Sequence, residues 1–259
     1  MKHISYSALK DWSFCPYYHK VVHIDKKKAF KGNEYTAFGT AIHSTYEKAL
    51  LDKNEETDYQ NYFHHNFMKE LENLQVLNVD TKPKLIAEMM DQGDKLASLS
   101  YPALKEFFGD FEVFSSEEQL YEEIDDELQF KGFIDVVLKK DDRYIILDWK
   151  TCSWGWNARK KNDTMITYQL TLYKHFWAKK HGIDPDKIDT YFALVKRTAK
   201  KNNVEIFKVP CGDKKIKNAL KLLDTALYNI RKQRFIKNKT SCQSGYGCPL
   251  YKTDLCKST

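Results

Sequence analysis

Between Thr36 and Leu51, in TAFGTAIHSTYEKALL, apolar side chains recur at Phe38, Ile42, Tyr46 and Leu50. That four-residue spacing lays one stripe along a helix. His43 lies beside the stripe. Two further helices are predicted from Asp58 to Leu74 and from Lys84 to Phe108, the second bent at Pro102. Near Phe111 the period changes, and FEVFSSEEQLYEEI, LQFKGFIDVVLKK and RYIILDWKT read as strands. The short polar link Lys139 to Asp142 predicts an antiparallel hairpin. Helical spacing returns from Thr164 to Lys180, followed by strands DTYFALVKR and NVEIFKV and a long helix from about Asp213 to Arg234. Ahead of all these, ISYSALKDWSFCPYYHKVVHI reads as a short helix capped by Ser5 or Ser7 and interrupted at Cys15-Pro16. The order of elements predicts an α/β fold with a central mixed β-sheet flanked by helices, plus an N-terminal helical block. One domain is expected over 1–259: a mainly helical part at 1–110, the sheet at 111–210, and a helix with a cysteine tail at 211–259.

Composition narrows the class. Hydrophobic residues at 42% with 14% aromatics place the 259-residue chain among ordered globular proteins. No apolar run approaches the roughly 20 residues that span a bilayer, and MKHISYSALKDW lacks the apolar core of a secretion signal, so a cytoplasmic protein is expected. Lys and Arg number 42 against 36 Asp and Glu, and the net +6 is concentrated in runs: Lys26 to Lys28, Arg159 to Lys161, Lys196 to Lys201 and Arg231 to Lys239. Such runs suit a polyanion partner, and equally a solvated surface.

The strands carry the chemistry. In RYIILDWK, alternation puts Asp148 and Lys150 on one face and Trp149 on the other. The preceding strand holds Asp135 among Phe133, Ile134, Val136 and Val137, and a lone buried carboxylate is costly unless it is paired or binds a cation. A hairpin between the two strands would bring Asp135 near Asp148. Two carboxylates and a lysine so placed suit Mg²⁺ or Mn²⁺ holding a phosphodiester, the ammonium stabilising charge on phosphate oxygens. A strand-end ion pair with a capping Asp135 reads the same residues without chemistry. Trp154 and Trp156 are candidates for stacking on bases, whereas Trp149 suits the core.

GFIDVVLKKDDRYIILDWKT resembles the core of the PD-(D/E)XK nucleases, in particular the RecB-type branch with CRISPR adaptation nucleases, AddB-type helicase-nuclease subunits and phage exonucleases. ISYSALKDWSFCPYYHK resembles that branch's N-terminal segment, AFGTAIHSTYE its Gly-x-x-x-His helix, and YQLTLYKHF its Gln-x-x-x-Tyr helix. The resemblance implies metal coordination by Asp135, Asp148 and His43, transition-state stabilisation by Lys150, and positions near the active site and DNA for Gln169 and Tyr173. A third acid is expected on the strand before Asp135, where Glu117, Glu118, Glu122 and Glu123 compete; Glu118 is preferred. The activity implied is that of an Mg²⁺- or Mn²⁺-dependent DNA exonuclease working on ends or single strands in DNA processing, recombination or repair, with a helicase or recombination protein as possible partner. A site- or structure-specific endonuclease and a non-catalytic DNA-binding subunit are the alternatives.

Six cysteines occur, three of them (Cys242, Cys248, Cys256) within the last eighteen residues among turn formers, a clustering that suggests metal or iron-sulfur ligation. The resemblance adds Cys15 and implies a 4Fe-4S cluster stapling the two ends of the chain. Five residues separate Cys242 from Cys248, where the branch usually has two, which keeps Zn²⁺ as the alternative. Cys152 and Cys211 read as packing residues.

Overall fold

The computed structural model describes residues 2–27, 29–52, 57–245 and 247–257; Lys28, in the first basic run, lies outside them. The chain divides into two compact units, one formed by Met1–Phe30, Leu120–Gly132 and Gly212–Thr259, the other by Lys31–Gln119 and Phe133–Cys211.

In the first unit, strand β1 (His3–Ser5) runs parallel to residues 129–131, with Ile4 opposite Phe130. Helix α1 (Tyr6–Phe14) follows at once because Ser5 caps it, its hydroxyl accepting from the Ala8 N–H at 3.2 Å. The predicted break falls at Cys15, which is extended ahead of Pro16, and α2 (Pro16–His19) continues beyond it. Helix α9 (Asp213–Arg231) lies in the same unit. Arg231 pairs there with Asp125 at 2.6 Å.

The second unit holds the helices α3 (Glu34–Leu51), α4 (Tyr59–Val76), α5 (Pro83–Leu96) and α6 (Ser100–Phe108). The single bent helix expected over 84–108 is two helices. The break falls before Ser100, and Pro102 sits in the first turn of α6, where the N–H it lacks would have had no partner. Strands β2 (Glu112–Asp125) and β3 (Leu128–Lys140) pair with each other. β3 forms an antiparallel hairpin with β4 (Arg143–Cys152), as the Lys139–Asp142 link predicts. After β4 come the short α7 (Ala158–Lys161) and α8 (Thr164–His181), a crossover that makes β5 (Ile188–Lys196) parallel to β4. β6 (Val204–Lys208) closes the sheet antiparallel to β5. The mixed sheet flanked by helices is the α/β architecture that the order of elements implied.

The two faces of β4 divide the labour. Ile145, Leu147 and Trp149 enter a core built from α3 to α6, where the Trp149 ring stands 4.8 Å from that of Tyr46. The opposite face meets α8, whose Trp177 ring lies 5.1 Å from Tyr144. Among the described residues no helix is long and apolar enough to cross a membrane.

Candidate active site

The β3–β4 register pairs Val136 with Leu147, and one step further along it would set Asp135 opposite Asp148. Residues opposed in an antiparallel pair point to the same face. The observed ladder ends just before them. There the Asp135 carboxylate takes the place of a strand carbonyl: its Oδ2 accepts the Trp149 N–H at 2.7 Å. Asp148 is almost fully buried, at 1% exposure. Its Oδ1 accepts from Gln169 Nε2 at 2.7 Å, and its Oδ2 faces the Lys150 ammonium in an ion pair. Gln169 also donates to the Tyr173 hydroxyl at 3.3 Å, one turn along α8.

From α3 comes His43, whose Nδ1 lies 3.5 Å from Asp135 Oδ2. Gly39, one turn earlier, allows α3 this close to β4, since a Cβ there would stand only 3.1 Å from Thr151 Oγ1. The Gly-x-x-x-His spacing thus has a steric reason.

The electrostatics follow from burial. Loss of water pushes Asp135 and Asp148 each up to about 6, although the neighbouring Lys150 charge pulls both down. Burial, and then the Lys150 charge, lowers His43 to about 4, so the imidazole is neutral at pH 7 and free to act as a ligand.

Glu118, the acid preferred from sequence, does not join Asp135 and Asp148. Glu118 turns to α8, where its carboxylate accepts from Trp177 Nε1 at 2.9 Å and Lys180 at 2.8 Å and meets His181 Nε2 at 2.7 Å. Glu117 is the acid that feels the site: burial, then the charges of Asp135, Glu47 and Asp148, push it up to about 7. The cause lies in the backbone. Glu117 has φ of +48°, and less exposed positions along β2 shift from odd (Val113, Ser115) to even (Leu120, Glu122, Ile124) across it, as at a β-bulge. Simple alternation cannot anticipate that shift. Glu47 is a further acid that the sequence reading missed. Burial raises it, and its charge acts on both Asp135 and Glu117. Its place four residues after His43, on the same helical face, was the available signal.

Among the described residues no group of three or more His, Cys, Asp or Glu side chains is arranged to hold a metal ion as it stands. Asp148 is occupied by Lys150 and Gln169, and Asp135 by Trp149. The donor set nonetheless fits a hard divalent cation, because the two carboxylates stay raised to about 6 even with Lys150 beside them, and the neighbouring imidazole is neutral.

The sequence profile of the PD-(D/E)XK nuclease superfamily matches residues 3–253. The chain belongs to this superfamily. Asp148-Trp149-Lys150 has the D-x-K form of the superfamily's name, and Ile134-Asp135 precedes it on the neighbouring strand. Among solved structures, a Eubacterium rectale protein described as a candidate exonuclease is similar in fold, with a TM-score of 0.57 at 11% identity, covering 89% of this chain and 80% of that one. SSO0001 (TM-score 0.38, 14% identity, covering 85% of this chain and 96% of that one) and LHK-Exo in complex with dAMP (0.33, 9%, 77% and 93%) are more distant. A search of curated protein sequences gives no match. PD-(D/E)XK nucleases are hydrolases of nucleic acid.

Within the first unit of this nuclease, Cys15, Cys242, Cys248 and Cys256 line one cavity together with Tyr17, Tyr18 and Leu250. All four are free thiols. The Asn238 N–H lies 3.3 Å from Cys15 Sγ, and burial, then the proximity of the other three thiols, raises Cys248. Cys152 and Cys211 are elsewhere; Cys211 is buried, its sulfur 3.2 Å from the Thr190 hydroxyl and 3.3 Å from that of Thr171.

Glu118 makes a structural prediction. Burial raises its carboxyl, but hydrogen bonds from Lys180, Ser115, His181 and Trp177 outweigh burial and hold it at about 2. A folded-state value below the ordinary one adds stability above the unfolded value near 4.5, and that stability is lost as pH falls toward 2. Glu118→Gln therefore lowers unfolding free energy at pH 7 by about 2 kcal/mol. In denaturant titrations at pH 7, 4 and 3 the gap to the unsubstituted protein should shrink with each step down; a constant gap contradicts the assignment.

Proposed function

We propose that the chain is an Mg²⁺- or Mn²⁺-dependent deoxyribonuclease, acting as an exonuclease on DNA ends or single strands. The observation that carries the reading is the opposed pair Asp135 and Asp148 on neighbouring strands, Asp148 buried and Asp135 largely so, with Lys150 on the same face. In this reading Asp135, Asp148 and the neutral His43 hold the cation, with Glu117 in the place first given to Glu118. When bound, Mg²⁺ or Mn²⁺ supplies Lewis acidity to the phosphodiester and acidifies the attacking water.

The protein's own groups do the rest. Gln169 fixes the Asp148 carboxylate by donating to Oδ1, leaving Oδ2 turned to Lys150 and the reaction space. Lys150 gives its ammonium to the negative charge that grows on the phosphate oxygens during in-line attack. Tyr173 steadies Gln169 through the hydroxyl contact. The basic runs supply backbone phosphate contacts with little sequence preference. A DNA processing, recombination or repair setting, with a helicase-type partner, follows from the resemblance to the RecB-type branch.

Purified protein should release nucleotides from linear DNA with Mn²⁺ or Mg²⁺ and leave a closed circle intact. Lys150→Ala should reduce the rate roughly 100- to 1000-fold, the scale for losing one charge-stabilising donor. Degradation that survives this substitution contradicts the mechanism, and discrete fragments from a closed circle contradict the exonuclease assignment.

We infer as well that Cys15, Cys242, Cys248 and Cys256 hold a 4Fe-4S cluster, supported by the convergence of four thiols on one cavity. Bound there, it would tie residues 14–16 to the C-terminal segment, much as a crosslink closing a long loop does. Anaerobically purified protein should be brown, with broad visible absorbance that Cys15→Ala abolishes. A colourless protein with one equivalent of zinc would make the site a four-cysteine zinc site instead.

A further inference from the structure

Immediately beyond the DWK strand, Trp154 stands 81% exposed, more than any other large apolar or aromatic side chain among the described residues. Its surroundings are not loose. The Ser153 carbonyl on its N-terminal side accepts from both the Thr198 N–H (2.9 Å) and the Thr198 hydroxyl (2.7 Å). The Arg197 N–H donates to the Cys152 carbonyl at 2.8 Å, and the Arg197 guanidinium to Ser153 Oγ at 3.2 Å. On the other side Gly155, at φ of +122°, turns the chain through a conformation that favours glycine. Trp156 is then tucked in, its ring 5.5 Å from Phe192, with the Lys160 ammonium 4.7 Å above it. The loop is thus fastened on both flanks, and only Trp154 projects.

Position and charge indicate what the ring meets. Trp154 follows Lys150 by four residues, at most about 14 Å along an extended chain. Exposed cations flank it in sequence and across the turn: Arg159 and Lys160 on α7, and Lys200 and Lys201 in the β5–β6 turn that Thr198 fastens to Ser153. An exposed ring on a tethered backbone between cationic segments matches a strand of unpaired nucleotides, whose bases stack while its phosphates meet the lysines. It does not match duplex DNA, whose bases are already stacked on one another.

We propose that Trp154 is a base-stacking platform that binds single-stranded DNA next to the reaction space, so that the nuclease takes unpaired ends. The proposal rests on the nuclease reading for its biological sense, but binding tests it separately. Full-length protein in EDTA, where strands stay intact, is titrated against labelled oligothymidylate and against an abasic strand of the same length, read by fluorescence anisotropy. The protein should prefer the base-bearing strand by roughly 5- to 150-fold. Trp154→Ala should erase that preference while leaving abasic-strand affinity and melting temperature unchanged, and Trp154→Phe should retain most of it. A preference that survives in Trp154→Ala, or equal binding of the two strands by the unsubstituted protein, overturns the platform. Protein that passes this test yet degrades no DNA with Mn²⁺ refutes the nuclease reading and leaves the platform standing; an active nuclease that fails it does the reverse.

Discussion

Two carboxylates opposed across a hairpin, Asp148 buried and Asp135 partly so, set the terms for the rest of the second unit. Like charges so placed repel, and the water that would screen them is largely excluded. The sheet tolerates them because each has been given something to do: Asp135 accepts the Trp149 N–H where the strand ladder ends, while Asp148 is bracketed by Gln169 and Lys150. Even so, both remain near 6, well above an ordinary aspartate. The deficit is one of positive charge, and it is what makes the site receptive to a divalent cation. A fold optimised for stability alone would not place Glu117 and Glu47 beside the same pair.

The helices explain how that geometry is held. Trp149, on the opposite side of β4 from its two charged neighbours, packs on Tyr46 of α3, and Gly39 lets α3 approach close enough for His43 to reach Asp135. α8 returns the chain over the other face and delivers Gln169. The crossover that makes β5 parallel to β4 is therefore also the device that fixes Asp148.

Much of this was legible in the sequence, for stated physical reasons. The four-residue apolar stripe located α3 and put His43 beside it; strand alternation placed Asp148 and Lys150 together; the polar link at 139–142 implied the hairpin that opposes Asp135 and Asp148. What escaped were features that break a period. Glu117 sits at a positive-φ position where β2 changes phase, so alternation along the strand could not choose among the competing glutamates, and Glu118 serves a hydrogen-bond cluster on α8. The break between α5 and α6 was hidden because Pro102, taken for a bend, occupies a first turn that accepts proline. Glu47 carried a helical-spacing signal relative to His43 that the apolar pattern obscured.

Whether the paired acids form a cation site is tested without reference to catalysis by Mn²⁺ binding, followed by loss of its free electron paramagnetic resonance signal. The unsubstituted protein should bind Mn²⁺, Asp135→Asn and Glu117→Gln should each weaken binding by at least about tenfold, the equivalent of 1.4 kcal/mol, and Glu118→Gln should leave it unchanged. Equal Mn²⁺ binding by all four proteins, or a loss confined to Glu118→Gln, would contradict it.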